Sequence, residues 1–311
     1  MARILTLTLN PALDLTVRLQ SLQPGALNRS LGQSSHAAGK GLNVAQVLAD
    51  LGHKVTVGGF LGAANASPFE ALFARRGFID AFIRVPGETR SNIKLAEQDG
   101  RITDLNGPGP QVEARHQAEL LAGLEQIAAG HDAVVVAGSL PQGVSPEWFA
   151  GLLRRLKALG LPLVLDSSGA ALRAGLAVGP WLIKPNAEEL AEACAVPSEA
   201  GSELHAAALR LRQQGVEHVL LSRGAEGVSW FGPDIALQAQ PPRVEVVSTV
   251  GAGDSLLAAT LHGLLAGWPA ERSLRLATAI AAQAVTQIGF GIHDREQLAR
   301  LEAGVTVAPL N

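Results

Sequence analysis

Short, uninterrupted apolar runs separated by stretches of helical period constrain this chain more than any other feature. Residues 55–60, 133–137, 161–165, 181–183 and 218–221 are such runs. They are too short for helices and too continuous for strands with one wet face, so they predict strands buried on both sides. Between them the spacing predicts helices over residues 42–51, 68–76, 112–129, 146–158, 187–195 and 203–214. Strand and helix alternating from residue 40 to about 222 imply crossover connections and a mostly parallel sheet covered on both faces. Residues 227–231 and 235–239 flank Gly232-Pro233-Asp234 and read as a hairpin. Two Ala/Leu-rich helices, 254–266 and 273–286, close the pattern, apolar on most sides and so assigned to the core.

Two stretches interrupt the alternation. Residues 12–35 and 86–106 carry alternating patterns such as Leu13-Asp14-Leu15-Thr16-Val17 and no helical period, which suits a small separate β-sheet acting as a lid. The whole chain, 1–311, is expected to form one domain into which these lid segments are inserted.

Composition excludes several classes. The 25 Lys+Arg against 28 Asp+Glu give a net charge of −3, without the basic excess of a nucleic-acid binder. A hydrophobic fraction of 47% rules out global disorder. The longest apolar run, 256–265, is interrupted by His262 and Gly263 and falls short of the roughly 18 residues that a membrane helix needs. With a single cysteine, Cys194, and an N-terminus that reads as a strand, a cytoplasmic protein without a signal peptide is expected.

The strongest chemical signal is Gly251-Ala252-Gly253-Asp254, directly before the apolar helix at 254–266. Helix N-termini present unpaired N–H groups and partial positive charge, and small residues let an anion approach them. Asp254 there is either an ordinary first-turn acid or, beside a bound phosphate, a base for an attacking hydroxyl. Gly39-Lys40-Gly41 is not a P-loop, since Gly41 stands where Ser or Thr should follow the lysine, and no Gly-x-Gly-x-x-Gly fingerprint follows a first strand. Eight scattered histidines give no protein-held transition metal. Arg90 and Lys94 lie an even number apart, so a strand would put both cations on one side, suited to a phosphate or to solvent. Asp14 follows the first strand and could accept from sugar hydroxyls. Ser139 and Asp166 end buried strands, where open α/β sheets bind ligands. Asn186 and Glu189 share a helical face, fit for a cap or for water-mediated contacts to Mg²⁺.

Taken together, the Gly-Ala-Gly-Asp helix entry, Gly39-Lys40-Gly41-x-Asn43, Asn186-x-x-Glu189 and Gly138-Ser139-Leu140-Pro141 resemble the ribokinase-like carbohydrate kinases of the phosphofructokinase-B type. The order fits from residue 7 to about 294. That resemblance implies a three-layer α/β sandwich with a β lid and ATP with Mg²⁺ as cofactors. The implied reaction is phosphoryl transfer to a sugar phosphate, first to the C6 hydroxyl of fructose 1-phosphate, with tagatose 6-phosphate as the alternative acceptor. A non-catalytic sugar-phosphate sensor is the rival of a different class. By the same resemblance Asp254 is the catalytic base, and Gly251, Ala252 and Gly253 form the anion hole. Asp14, Gly39, Lys40, Asn43, Arg90 and Ser139 hold the sugar and its phosphate. Lys184, Asn186, Ser222, Gly224, Gly227 and Thr249 line the nucleotide, with Glu189 reaching Mg²⁺ through water. Lids of such kinases pair, which implies a homodimer. Arg223, in Ser222-Arg223-Gly224, departs from the smaller or apolar residue that relatives carry there.

Overall fold

The computed structural model describes residues 1–199 and 201–310. In chain order the first half runs β1 (Arg3–Thr8), β2 (Ala12–Leu19), β3 (Gly32–Ala38), α1 (Lys40–Asp50), β4 (Lys54–Gly62), α2 (Ser67–Arg76), β5 (Ile79–Val85), β6 (Arg90–Glu97), β7 (Ile102–Asn106), α3 (Ala114–Ala128) and β8 (Ala133–Ala137). The second half continues with α4 (Pro146–Ala158), β9 (Leu163–Asp166), α5 (Gly169–Leu176), β10 (Leu182–Ile183), α6 (Ala187–Cys194), α7 (Gly201–Gln213) and β11 (His218–Ser222). It ends with β12 (Val228–Gly232), β13 (Ile235–Gln240), α8 (Ala252–Leu265), α9 (Ala270–Ala284), α10 (Arg295–Gly304) and β14 (Thr306–Pro309).

Ten strands form the central sheet in the order β14-β13-β12-β11-β10-β9-β8-β1-β4-β5. From β5 across to β11 every pairing is parallel, and β12 to β14 add an antiparallel edge. Alternate side chains of each buried strand enter different cores. Ala133, Val135 and Ala137 of β8 pack with α1, α2, α8 and α9, while Val134 and Val136 pack with α3, α4 and α7. The continuous apolar runs thus arise because both faces of the sheet are covered. Helix α8 is buried along most of its length, from Asp254 through Leu261, as its all-round apolarity predicts. Among the described residues no helix is long and apolar enough to cross a membrane.

From β1 the chain builds outward in both directions, to β4 and β5 on one side and to β8 through β11 on the other. Such a reversal opens a crevice outside the carboxyl ends of the strands. The four remaining strands form a separate sheet, β3-β2-β6-β7. It uses residues 12–19, 32–38, 90–97 and 102–106, and so runs to Ala38, three residues past the segment expected from the sequence. Its register puts Asp14, His36, Asn92 and Asn106 in one row and Leu15, Ser35, Ile93 and Leu105 in the next. One face is therefore polar. The other carries Leu13, Leu15, Val17, Ile93, Leu95 and Leu105.

Candidate active site

A cavity of about 1080 Å³ lies over the carboxyl ends of the central strands and reaches the small sheet. Its floor is the start of α8. Gly251 caps that helix with φ +84°, a left-handed turn that glycine adopts without strain, and Ser255 donates back to the Gly251 carbonyl at 2.9 Å. Ala252 donates weakly to the Thr249 carbonyl at 3.5 Å. Among the described residues the N–H groups of Gly253 and Asp254 have no protein acceptor, so two donors at the positive end of the helix face the cavity unpaired. At Gly253 a Cβ would sit 3.0 Å from the Lys184 ammonium, which would have to shift slightly to make room.

Three carboxylates and two ammonium groups meet at this entry. Asp166, at the end of β9, is fully buried between Lys40 Nζ on Oδ1 (2.9 Å) and Lys184 Nζ on Oδ2 (3.3 Å). Burial alone would raise its pKa, but the two lysines outweigh burial and hold it below the usual carboxylate value. Lys40 also reaches Glu189 Oε1 at 3.5 Å. Burial pulls the Lys40 pKa down, and the surrounding carboxylates of Asp166, Glu189 and Asp254 more than reverse it, so the amine stays charged. Asp254 is the exception. Burial first, then the nearby Asp166 charge, push it up to about 6, against the pull of Lys40, the Asn43 hydrogen bond (2.7 Å) and Lys184. A carboxyl poised near neutrality, beside unpaired N–H donors, has the character of a general base.

The other end of the cavity lies against the small sheet. Asn92 donates to Asp14 Oδ1 at 2.9 Å, and burial raises the Asp14 pKa despite this bond and the nearby Arg90 charge. Arg90 donates to the Asn10 carbonyl (3.3 Å) and the Gly107 carbonyl (3.5 Å), and its Nε is buried without a partner. No carboxylate pairs with it among the described residues, and burial lowers its pKa. Ser139 stands one step behind, accepting from Asn10 Nδ2 at 3.1 Å, and does not line the cavity.

Most of the sequence-derived candidates therefore converge. Asp14, Gly39, Lys40, Asn43 and Arg90 line one part of the cavity; Lys184, Asn186, Glu189, Ser222, Gly224 and Thr249 line another, with Gly251, Gly253 and Asp254 between. Ala252 and Gly227 do not line it. Gly227 instead packs under β13, where a Cβ would lie 2.0 Å from the Ala239 carbonyl at φ +93°, so its small size serves the hairpin. Lys94, paired by sequence with Arg90, lines a smaller neighbouring cavity of about 270 Å³ with His36 and Asp104. Asn186 and Glu189 form a reciprocal cap on α6, each side chain bonding the other's backbone N–H (2.7 and 3.0 Å). Arg223 turns toward the cavity, paired only loosely with exposed Glu226 at 3.6 Å. Asn92, which lines the cavity, and Asn10, which holds Arg90 and Ser139, have no role in the sequence reading, and Asp166 figures there only as the end of a buried strand. Asp166 had one visible sign, an acid closing the apolar run Leu163-Val164-Leu165.

A parallel sheet with its cleft at the switch point, a glycine-rich helix entry and an adjoining acid make a cleft of the kind suited to a phosphorylated ligand. The chain belongs to the pfkB family of carbohydrate kinases, whose pattern it matches over residues 7–296. It is 48% identical over 309 residues to 1-phosphofructokinase of Vibrio cholerae, covering 99% of this chain and 97% of that protein. With 1-phosphofructokinase of Escherichia coli K12 it shares 45% over 309 residues, covering 99% of each. Among solved structures it superposes on phosphofructokinase-2 from Escherichia coli in complex with fructose-6-phosphate, with a TM-score of 0.88 at 28% identity over 97% of this chain and 99% of that one.

Proposed function

We propose that this kinase transfers the γ-phosphoryl group of ATP to the C6 hydroxyl of fructose 1-phosphate, giving fructose 1,6-bisphosphate and ADP. The observation that carries the choice of a phosphorylated acceptor is Arg90, a half-buried guanidinium with only carbonyl partners and an unpaired Nε beside the cavity. Facing a neutral sugar, such a cation would stay partly desolvated with only the nearby Asp14 charge and no directly bonded anion. Facing a phosphate, it gains the bidentate partner that its geometry suits. Similarity to the two 1-phosphofructokinases supports the position of that phosphate.

In this reading Asp14 and Asn43 orient the sugar hydroxyls, and Asp254 takes the C6 proton as that oxygen attacks the γ-phosphorus. The bond from phosphorus to the β–γ bridging oxygen breaks, and its electrons leave with ADP. The unpaired N–H groups of Gly253 and Asp254, with Lys184, stabilise charge on the transferring group. No cluster of three or more metal-ligating side chains occurs among the described residues, yet the cavity-lining carboxylate of Glu189 suits contacts to metal-bound water. Mg²⁺ held there would neutralise the nucleotide's phosphate charge.

A coupled assay of ADP release over fructose 1-phosphate, tagatose 6-phosphate and their unphosphorylated sugars tests the reading. Turnover is expected on fructose 1-phosphate above all others. Preference for tagatose 6-phosphate would replace the acceptor, and no turnover on any sugar would favour a sensor. Arg90→Ala is expected to raise the acceptor KM at least about tenfold, with ATP KM nearly unchanged, as loss of a charge-assisted contact of 1.5–3 kcal/mol implies. An unchanged acceptor KM removes Arg90 from the site.

The apolar face of the small sheet supports pairing with a second copy. Leu105 is 53% exposed on it, beside Ile93, and a sheet face of this kind is covered in a stable fold. Sedimentation is expected to give a dimer for the wild type and a monomer for Ile93→Asp; a dimeric Ile93→Asp protein would place the contact elsewhere.

A further inference from the structure

Helix α1 carries Lys40 and Asn43 at its start and Asp50 at its end. The Asp50 carboxylate is shared. Oδ1 accepts from Arg76 Nη2 at 2.7 Å, and Oδ2 accepts from the Ile292 backbone N–H at 2.8 Å across 242 residues of sequence. Arg76 donates as well to the Gln46 carbonyl, and Arg295 donates to the Asp50 carbonyl at 3.0 Å. The loop that follows α9 is thus strapped to α1 by the Asp50 side chain, which Arg76 of α2 holds, while Arg295 ties the start of α10 to the end of α1.

That loop presses on the strap and on the site at once. At Gly291, with φ +110°, a Cβ would lie 2.5 Å from Asp50 Oδ2, so only glycine lets the backbone come this near. Gln287 donates across the loop to the Gly291 carbonyl at 2.8 Å. One residue earlier, the Phe290 ring covers Gly251 closely, since a Cβ there would meet it at 2.8 Å. Gly251 is the cap of α8, and its turn sets where the unpaired N–H groups of Gly253 and Asp254 point.

We infer that Asp50 is a positioning residue for phosphoryl transfer: through the 287–292 loop and the Phe290 ring it fixes the turn at Gly251 and hence the aim of the α8 entry. The inference rests on reading that entry as the phosphate site. Asp50 does not line the cavity and touches no reacting group.

Steady-state kinetics on the intact enzyme test it, with ATP and whichever acceptor the wild type turns over. A wrong sugar assignment then shows in the wild type, and a wrong strap only in the variants. Asp50→Ala is expected to lower kcat about tenfold and raise ATP KM while acceptor KM stays within about twofold, the cost of a small misplacement far from the chemistry. Asp50→Asn keeps an oxygen for the Ile292 N–H and is expected to recover most of the loss. Because the effect passes through Phe290, Asp50→Ala added to Phe290→Ala should cost little more than Phe290→Ala alone. Wild-type kcat in Asp50→Ala, equal loss in Asp50→Asn, or additive losses in the double variant would overturn the inference. If Asp50→Ala does not fold, Gly291→Ala pushes the loop away from the other side; the same kinetic pattern is expected, and wild-type kcat there would overturn it equally.

Discussion

Asp254→Asn should lower kcat by about 10²–10⁴, the usual worth of a positioned general base, while the protein becomes more stable. The two effects have one cause. The carboxyl has a pKa near 6 in the fold against a reference value of 3.8, because burial and Asp166 disfavour its charged form. An acid raised in this way contributes its full stability only below the unfolded value and loses it as the pH climbs through about 6. At pH 7.5 the native protein therefore carries a cost on the order of 2–3 kcal/mol, which the neutral amide removes while still accepting from Asn43. Thermal unfolding at pH 7.5 should show a higher Tm for Asp254→Asn, and the gain should vanish well below pH 4. Activity near wild type would remove Asp254 as the base; a lower Tm at pH 7.5 would contradict the electrostatic argument.

The second large effect belongs to Asp166. Replacing it by Ala leaves Lys184, 5% exposed, without its carboxylate partner and takes from Lys40 the nearer of its two. Breaking a buried pair from one side costs about 3–5 kcal/mol, since the remaining charge keeps its desolvation penalty. Chemical denaturation should register a loss of that size. The same substitution removes a negative charge that lifts the Asp254 pKa and frees two lysines to act on it. The acidic limb of kcat/KM, expected near pH 6 in the wild type, should accordingly move to lower pH in Asp166→Ala or in the milder Asp166→Asn. Unaltered stability together with an unmoved limb would mean that the two carboxyls do not communicate.

Why some of this was legible in the sequence and some was not follows from the range of the interactions. Strands such as β8 declare themselves because both of their faces are apolar, and α4 because its Ser145 cap and period are local. Strand β5 was missed: it is an edge strand whose first residue, Ile79, is 57% exposed, so its pattern is not that of a buried run. Helix α5 has eight residues with two glycines, and β14 contains a proline at an edge, so neither carries a strong local signal. At the site, the glycine-rich helix entry and the Asn186–Glu189 cap are short-range and were visible as motifs. The union of Lys40 with Asp166, 126 residues apart, exists only once β9 ends and α1 begins at the same cleft. Gly227 shows the converse, a glycine in a site-like motif whose size answers to Ala239.

Everything proposed for catalysis requires that Asp254 meet the acceptor hydroxyl at the mouth of α8. A crystal structure of the enzyme with fructose 1-phosphate and a non-hydrolysable ATP analogue tests it most directly. An Asp254 carboxylate oxygen is expected about 2.6–3.2 Å from the C6 hydroxyl, with the terminal phosphate over the Gly253 N–H and the sugar phosphate on Arg90. A C6 hydroxyl beyond reach of Asp254, or a sugar bound with its phosphate toward α8, would contradict it.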